Sequence, residues 1–230
     1  MNQDIETPPR AVFILHSEFL ISNRLVIALL DYGSGNLRSV HKALLQVGAD
    51  VYIAQHPEAM RDAHAVVLPG VGAFDDCIAA LRKQELLEAT RDFIKTGRPF
   101  LGICVGYQAL FEKSEEFNSC AAGLAVFSGN VVRFTESKGL KIPQIGWNQI
   151  EIMQPACPLY RGVVNGSYVY FVHSFFPKPT DASIVATRTN YGDTFASSVW
   201  KDNVFATQFH PEKSQTVGLQ MLKNFASLAS

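Results

Sequence analysis

Apolar and polar positions fall into blocks whose spacing changes midway along the chain. The run "LVIALL" at residues 25 to 30 is continuously apolar and ends in the turn-forming "DYGSGN", which reads as a buried strand feeding a loop. In "NLRSVHKALLQVG" the residues Leu37, Val40, Leu44 and Val47 recur at helical spacing, with Asn36 placed to cap the start and Gly48 the end. "VYIA" and "AVVLPG" read as two more short strands, and Asp75 to Lys95 as one longer helix with Ile78, Leu81 and Phe93 among its apolar positions. After Pro99, which disfavours helix just before it, "FLGI" reads as a fourth buried strand. Helical spacing then returns, with Tyr107, Leu110 and Phe111 on one side. Strands alternating with helices imply a parallel sheet covered on both faces, with ligands at the carboxyl ends of its strands.

The second half changes character. "LAVFSGNVVRFT", "IGWNQIEIM", "SYVYFVHSFF", "SIVATRT", "FASSVW" and "NVFATQFH" are strand-like runs broken by Gly, Asn, Asp and Pro. They imply antiparallel additions to the sheet. A final amphipathic helix, with Leu219, Leu222 and Phe225 spaced to face the core, closes the chain. No internal repeat or low-complexity linker separates the halves. The fold expected is therefore α/β, a single domain over residues 25–230 with a mostly parallel central sheet flanked by helices and extended by antiparallel strands in its C-terminal half.

Residues 1–24 are set apart as an N-terminal extension to which no role is assigned. Polar "MNQDIETPPR" is followed by "AVFILHSEFLIS", which is too short, and too interrupted by His16, Ser17 and Glu18, to span a membrane. The basic start of a secretory signal is missing, and Asp4 and Glu6 argue against a transit peptide. One hypothesis is that translation begins near Leu25, which mass spectrometry of the native N-terminus decides.

At 230 residues, 47% hydrophobic and 18% charged, the chain can bury a full core. A formal net charge of -1 without a basic block excludes the electrostatic footprint of a nucleic-acid binder. The four cysteines, Cys77, Cys104, Cys120 and Cys157, form no CxxC pair and no zinc-ligand spacing, so neither a disulfide framework nor a metal site is signalled and a reducing cytoplasm is expected.

One of these cysteines stands at a special place. Cys104 lies where the strand "FLGI" gives way to helical spacing, between Gly102 and Gly106. A tight strand-to-helix turn pushes its residue into a strained, exposed position, and small neighbours relieve the crowding. The positive end of the following helix favours a thiolate there. The alternative is a cysteine that only packs, the reading adopted for Cys77, Cys120 and Cys157. A base is available in "FATQFHPEKS": a strand carries His210 to its C-terminal end, and Glu212 follows to orient the imidazole. Parallel strands open on the same side, so His210 can reach Cys104 across the sequence. The thiolate then attacks an acyl carbon, the imidazolium protonates the leaving nitrogen, and the carboxylate holds the ring. A lone histidine at a strand end is otherwise a surface or hydrogen-bonded residue. "LPGVGAF" supplies candidate oxyanion donors in the N–H of Val71 or Gly72, joined by that of Val105, although such a loop can equally be a plain turn.

A G-x-C-x-G elbow, a P-G-x-G loop and a late F-H-P-E together resemble the class I (triad) glutamine amidotransferases over about residues 25 to 228. More narrowly, "DYGSGNLRSV", "LPGVGAF", "IPQIGWN", "YFVHS" and "QFHPEKSQ" resemble the glutaminase subunits of imidazole glycerol phosphate synthase, in histidine biosynthesis. The resemblance implies hydrolysis of L-glutamine through a thioester on Cys104. The ammonia would be channelled into a β/α-barrel cyclase subunit held in a heterodimer, with no metal, cofactor, nucleic acid or membrane involved. It also implies that Gln108, Glu116 and Ser174 hold the substrate, with Tyr170 and His173 nearby, and that Asn36, Trp147 and Lys213 stand at the mouth facing the cyclase. Gln108 and Glu116 could equally be solvated polar residues, and Trp147 an ordinary core residue. The sequence departs from the family at Tyr107, where methionine is frequent, at Gln144, where histidine is common, and at Phe175, where tyrosine is usual.

Three other readings compete. Another member of the class would feed anthranilate, aminodeoxychorismate or guanylate synthesis. A binding module that kept the fold without the chemistry would be expected to have lost Cys104 or His210, and this chain retains both. A cysteine peptidase is opposed by the substrate-type residues Gln108 and Glu116.

Overall fold

The computed structural model describes residues 26–33, 36–136 and 139–229; the extension read at residues 1–24 lies outside them. In chain order the strands are β1 (Val26–Leu30), β2 (Asp50–Ala54), β3 (Ala65–Leu68), β4 (Phe100–Ile103), β5 (Lys113–Ser114), β6 (Gly129–Arg133) and β7 (Gln144–Gln149). They continue with β8 (Glu151–Ile152), β9 (Tyr168–His173), β10 (Phe175–Pro179), β11 (Val185–Tyr191), β12 (Asp193–Lys201) and β13 (Val204–Thr207). The helices are α1 (Leu37–Gln46), α2 (Phe74–Lys83), α3 (Leu86–Lys95), α4 (Val105–Gln108) and α5 (Gln215–Ala226).

The central sheet has the order β2-β1-β3-β4-β13-β12-β11-β8. Its first five strands are mutually parallel, and β12, β11 and β8 add to it antiparallel. The continuous apolar runs are explained by burial on both faces: every residue of β3, β4 and β13 is buried. Helices pack pairwise, α1 with α5 and α2 with α3. This is the α/β architecture expected from the alternation of patterns. Among the described residues, no helix is long and apolar enough to cross a membrane.

The second half departs from the expectation in one respect. Only three of its strands, besides β13, extend the central sheet; the rest form two small sheets of their own, β10-β6-β5 and the antiparallel ribbon β7-β9. An aromatic cluster joins these pieces to the main body. The Phe134 ring lies 4.7 Å from Phe176 and 5.3 Å from Phe195, and Phe171 lies 5.8 Å from Phe209, in the tilted and edge-on geometries that ring quadrupoles favour.

Two helices also differ from the reading of the sequence. The long helix expected from Asp75 to Lys95 is two, α2 and α3, broken where Glu85 takes a left-handed φ of 60°. The buried face of α2 is Phe74, Cys77, Ile78 and Leu81, and its continuation would fall on the charged Glu85 and Glu88. The buried residues of α3 are instead Leu86, Leu87, Thr90 and Phe93. The apolar phase slips at the break, and a kink is what lets both faces reach the core. The helix after Cys104 is a single turn, because Leu110 and Phe111 close tighter bonds to Tyr107 and Gln108 and the chain turns into β5. Tyr107, Leu110 and Phe111 are all fully buried, so the spacing that suggested a helix reflects burial on several sides.

Candidate active site

The nucleophile candidate and its base leave neighbouring strands at the same end of the sheet. β4 and β13 are parallel and paired in register, Ile103 beside Thr207, and the Cys104 N–H donates to the Thr207 carbonyl at 2.8 Å. One residue past β4, Cys104 takes φ 56° and ψ −108°, a conformation that costs a non-glycine residue about 1–3 kcal/mol unless its surroundings enforce it. The surroundings are the flanking glycines. A Cβ on Gly106 would stand 2.0 Å from the Leu68 carbonyl oxygen of β3, and one on Gly102 would stand 2.7 Å from the Gly106 carbonyl oxygen. Backbone therefore packs on backbone at the bend, and the thiol is held at the N-terminus of α4.

Beyond β13 the chain runs through Gln208 and Phe209 to His210, whose N–H donates to the Tyr170 carbonyl at 2.9 Å. The imidazole and the Glu212 carboxylate are both buried, with Nδ1 of the ring 2.8 Å from Oε1 of the carboxylate. Nε2 is thereby left to face the thiol. It closes no hydrogen bond in this geometry, as is common before substrate binds, yet it is close enough to sense the sulfur. Burial alone would lower the His210 pKa, but Cys104 and then Glu212 outweigh it and raise it above the ordinary histidine range.

Asn36 adds a contact that sequence reasoning missed. Read as a helix cap and as a residue of the partner-facing mouth, it makes no side-chain capping bond to α1; its Nδ2 instead donates to Oε1 of Glu212, the oxygen that also meets His210. Asn36 itself sits at φ 72°, a left-handed conformation to which asparagine is better suited than most residues. It extends the Cys104, His210, Glu212 line by one member.

A cavity of about 420 Å³ opens on these residues. Cys104 and His210 line it together with Val71, Gly72 and Val105, the three positions proposed for the oxyanion. Val105 begins α4, so its N–H has no partner within its own helix. Gly72 has φ 97°, which only glycine adopts without strain.

Gln108, Glu116 and Ser174 also line the cavity. Gln108 is buried, and its amide nitrogen donates to the Phe175 carbonyl at 3.0 Å and to Oε1 of Gln208 at 3.2 Å, so its own carbonyl oxygen is what it can offer a ligand. Glu116 accepts from the Phe74 N–H at 2.8 Å, at the start of α2. Partial burial raises its pKa, the Phe74 N–H opposes that, and Asp75 and Asp76 add to it. A carboxylate in such surroundings gains from a cationic ligand group.

His173, which also lines the cavity, is fully occupied. Nδ1 lies 2.8 Å from the Phe175 carbonyl and Nε2 lies 3.1 Å from Oε1 of Gln144. Both partners are carbonyl oxygens, which only accept, so a neutral ring has one hydrogen to give between them, and the contact from Nδ1 to Phe175 is the shorter. Burial lowers the pKa of His173 to about 3. It is a neutral structural histidine and not a second base.

Beside the cavity the β7-β9 ribbon turns apolar side chains outward. Ile145, Trp147 and Tyr168 are 64%, 46% and 55% exposed, and Trp147 meets Tyr170 edge-on across the ribbon at 6.1 Å. Trp147 is thus a surface residue, which resolves the alternative of core packing. Lys213 lines the cavity and holds its ammonium 5.8 Å from the Tyr170 ring, joining mouth to ribbon. Tyr107, one of the departures, is fully buried and donates to the Ala196 carbonyl at 3.3 Å.

Comparisons with known proteins identify the family. The family model of glutamine amidotransferase class-I matches residues 28–228. The imidazole glycerol phosphate synthase subunit HisH of Syntrophotalea carbinolica is 49% identical over 208 residues, covering 88% of this chain and 100% of that one. The subunit of the same name from Geobacter metallireducens is 49% identical over 205 residues, covering 87% and 97%. Among solved structures, PurLQS from Thermotoga maritima shares the fold with a TM-score of 0.68 at 19% identity, covering 89% of this chain and 96% of that chain. The chain belongs to the class-I glutamine amidotransferase family.

Proposed function

We propose that this chain is the glutaminase subunit of an imidazole glycerol phosphate synthase, acting in histidine biosynthesis in the cytoplasm. It cleaves L-glutamine and hands the ammonia to a β/α-barrel cyclase with which it forms a heterodimer. Residues 25–230 are the amidotransferase domain of this reading. The observation that carries it is the meeting of Cys104 and His210 at one cavity, with Glu212 held behind the ring, next to the exposed apolar face of the ribbon. The names of the similar proteins support the choice of pathway.

The chemistry follows from the atoms. Sγ of Cys104 attacks the side-chain amide carbon of glutamine and forms a C–S bond, while the carbonyl electrons move onto oxygen. That oxyanion is met by the N–H of Val105 and by the Val71 and Gly72 loop. His210 gives its Nε2 proton to the leaving nitrogen, the C–N bond breaks, and ammonia departs from a thioester. Water then attacks the thioester with His210 taking its proton, glutamate leaves, and the sulfur is regenerated. Glu212, braced by Asn36, keeps the ring oriented and favours its charged form. Gln108, Glu116 and Ser174 hold the amino-acid end of the substrate.

The test is glutamine-dependent synthesis of imidazole glycerol phosphate by this chain mixed with a cyclase subunit. Wild type should support it, and Cys104→Ala should lose about a thousandfold or more of the glutamine-driven rate while ammonia-driven synthesis by the cyclase continues. Retained glutamine turnover in Cys104→Ala overturns the proposal.

A further inference from the structure

One buried side chain beside Cys104 has no place in the mechanism above. Gln208 lies between β13 and His210 and is completely buried. Its backbone N–H is used by the Ser197 carbonyl at 2.9 Å, which fixes where the side chain starts. Oε1 of that side chain accepts from Gln108 at 3.2 Å, and since Gln108 has only an amide nitrogen to give there, the orientation of the Gln208 amide is set. Nε2 must then point the other way. It lies 3.7 Å from Sγ of Cys104, within the range of an N–H to sulfur hydrogen bond.

We infer that Gln208 is a further catalytic residue, an N–H donor held against the attacking sulfur of Cys104. This rests on the proposed role of Cys104 as nucleophile. The sulfur is then placed between two groups with different tasks. His210 exchanges a proton with substrate and product. Gln208 cannot exchange one at neutral pH, and instead offers a fixed dipole to whatever negative charge the sulfur carries. That charge exists before attack and again when the thioester collapses, and it is absent in the thioester itself. A donor aimed at the sulfur therefore favours the reacting forms over the resting covalent intermediate.

The donor is held in place from behind. Gln108 is fixed by the Phe175 carbonyl, and that same carbonyl accepts from His173, which is backed by Gln144 on β7. The line of hydrogen bonds starts in the partner-facing ribbon and ends at the sulfur. Every side chain in it is buried, so water does not compete for its bonds.

Two variants separate this role from simple support of Gln108. Gln208→Met removes both the donor and the acceptor at similar volume, and Gln208→Glu keeps an acceptor for Gln108 while removing the amide donor. The first measurement is the rate of Cys104 alkylation by iodoacetamide at pH 7.5 in the full chain alone, followed by mass spectrometry. Both variants should react about tenfold more slowly than wild type, the effect of losing one hydrogen bond to a charged atom. The second is glutamine turnover in the complex with the cyclase subunit, where kcat should fall about tenfold or more with KM unchanged. A role confined to supporting Gln108 would instead raise KM in Gln208→Met and leave Gln208→Glu near wild type in both measurements, and that result overturns the inference. Alkylation needs neither glutamine nor partner, so a wild-type Cys104 that labels no faster than Cys120 would count against the nucleophile itself, whereas fast labelling in wild type and in both variants would count against Gln208 alone.

Discussion

The turn that carries Cys104 and the ribbon that carries Trp147 border the same cavity but are held by different means. At the turn, backbone rests on backbone: Gly106 lies against the Leu68 carbonyl with no room for a methyl group, and β4 is paired on both sides within the central sheet. The ribbon has two strands, and such a pair is marginal in water unless one face is buried. Its inner residues Val169, Phe171 and His173 supply that burial, and its outer face shows Ile145, Trp147 and Tyr168 to solvent. Cys104 therefore belongs to the rigid part of the molecule, while His210 is tied to both. His210 follows β13, yet its N–H bonds Tyr170 of the ribbon. Whatever binds the outer face of the ribbon thus presses on the element that positions His210 and leaves the thiol's own turn in place.

The same substitution made in both places should show the contrast most sharply. Gly106→Ala forces a contact of 2.0 Å with a central strand and is expected to cost about 4 kcal/mol or more, seen as loss of a cooperative thermal transition or of soluble protein. Gly146→Ala, in β7, meets nothing within 4 Å but must adopt φ 135°, and should cost about 1–2 kcal/mol. Equal losses would show that the turn is no stiffer than the ribbon.

Next in size is the exposed aromatic. Trp147→Ala should weaken binding of the cyclase subunit by about 2 kcal/mol, roughly thirtyfold in Kd by calorimetry, while the alkylation rate of Cys104 in the lone chain stays at the wild-type value. Unchanged affinity would remove the ribbon from the interface, and a changed alkylation rate would mean that the turn is not independent of it.

The smallest effect is set by pH. His173 is buried neutral with its pKa lowered to about 3, whereas in the unfolded chain it titrates near its ordinary value, about 6.5. The unfolded state therefore binds the proton first. The stability that rests on a neutral His173 is whole above about pH 6.5 and is lost progressively as pH falls from there toward 3. In urea unfolding at pH 7.5 and 5.5, wild type should lose about 1.4 kcal/mol more than His173→Gln over that interval. Parallel losses in the two proteins would show that His173 is charged or solvated in the ribbon.

How much of this was legible in the sequence depended on the range of the interaction. The alternation of apolar runs foretold the parallel sheet, and the glycines around Cys104 foretold the bend, because both are written in adjacent residues. The placement of His210 and Glu212 at the Cys104 end of the sheet followed from pairing two local motifs through a general rule about parallel strands. What escaped was whatever depends on a third element arriving in space. The turn of Asn36 toward Glu212 and of Gln208 toward Cys104 needs three-dimensional proximity that neither residue signals, although Gln208 stood in the quoted "FATQFHPEKS". The break between α2 and α3 was readable in retrospect from the charged residues Glu85 and Glu88 falling on the expected core face. The gathering of β5, β6, β7, β9 and β10 into separate small sheets was not, since period-two patterns do not say which strand pairs with which.

The strained bend at Cys104 also bears on how such a protein is made. Its backbone angles are imposed by β3 and by the pairing of β4 with β13, and the acceptor for the Cys104 N–H is Thr207, near the far end of the chain. During synthesis the thiol leaves the ribosome about a hundred residues ahead of Thr207 and His210. A nascent or truncated product consequently lacks the strand that imposes the bend, and the strained conformation of Cys104 comes into being only once β13 has been made and has docked.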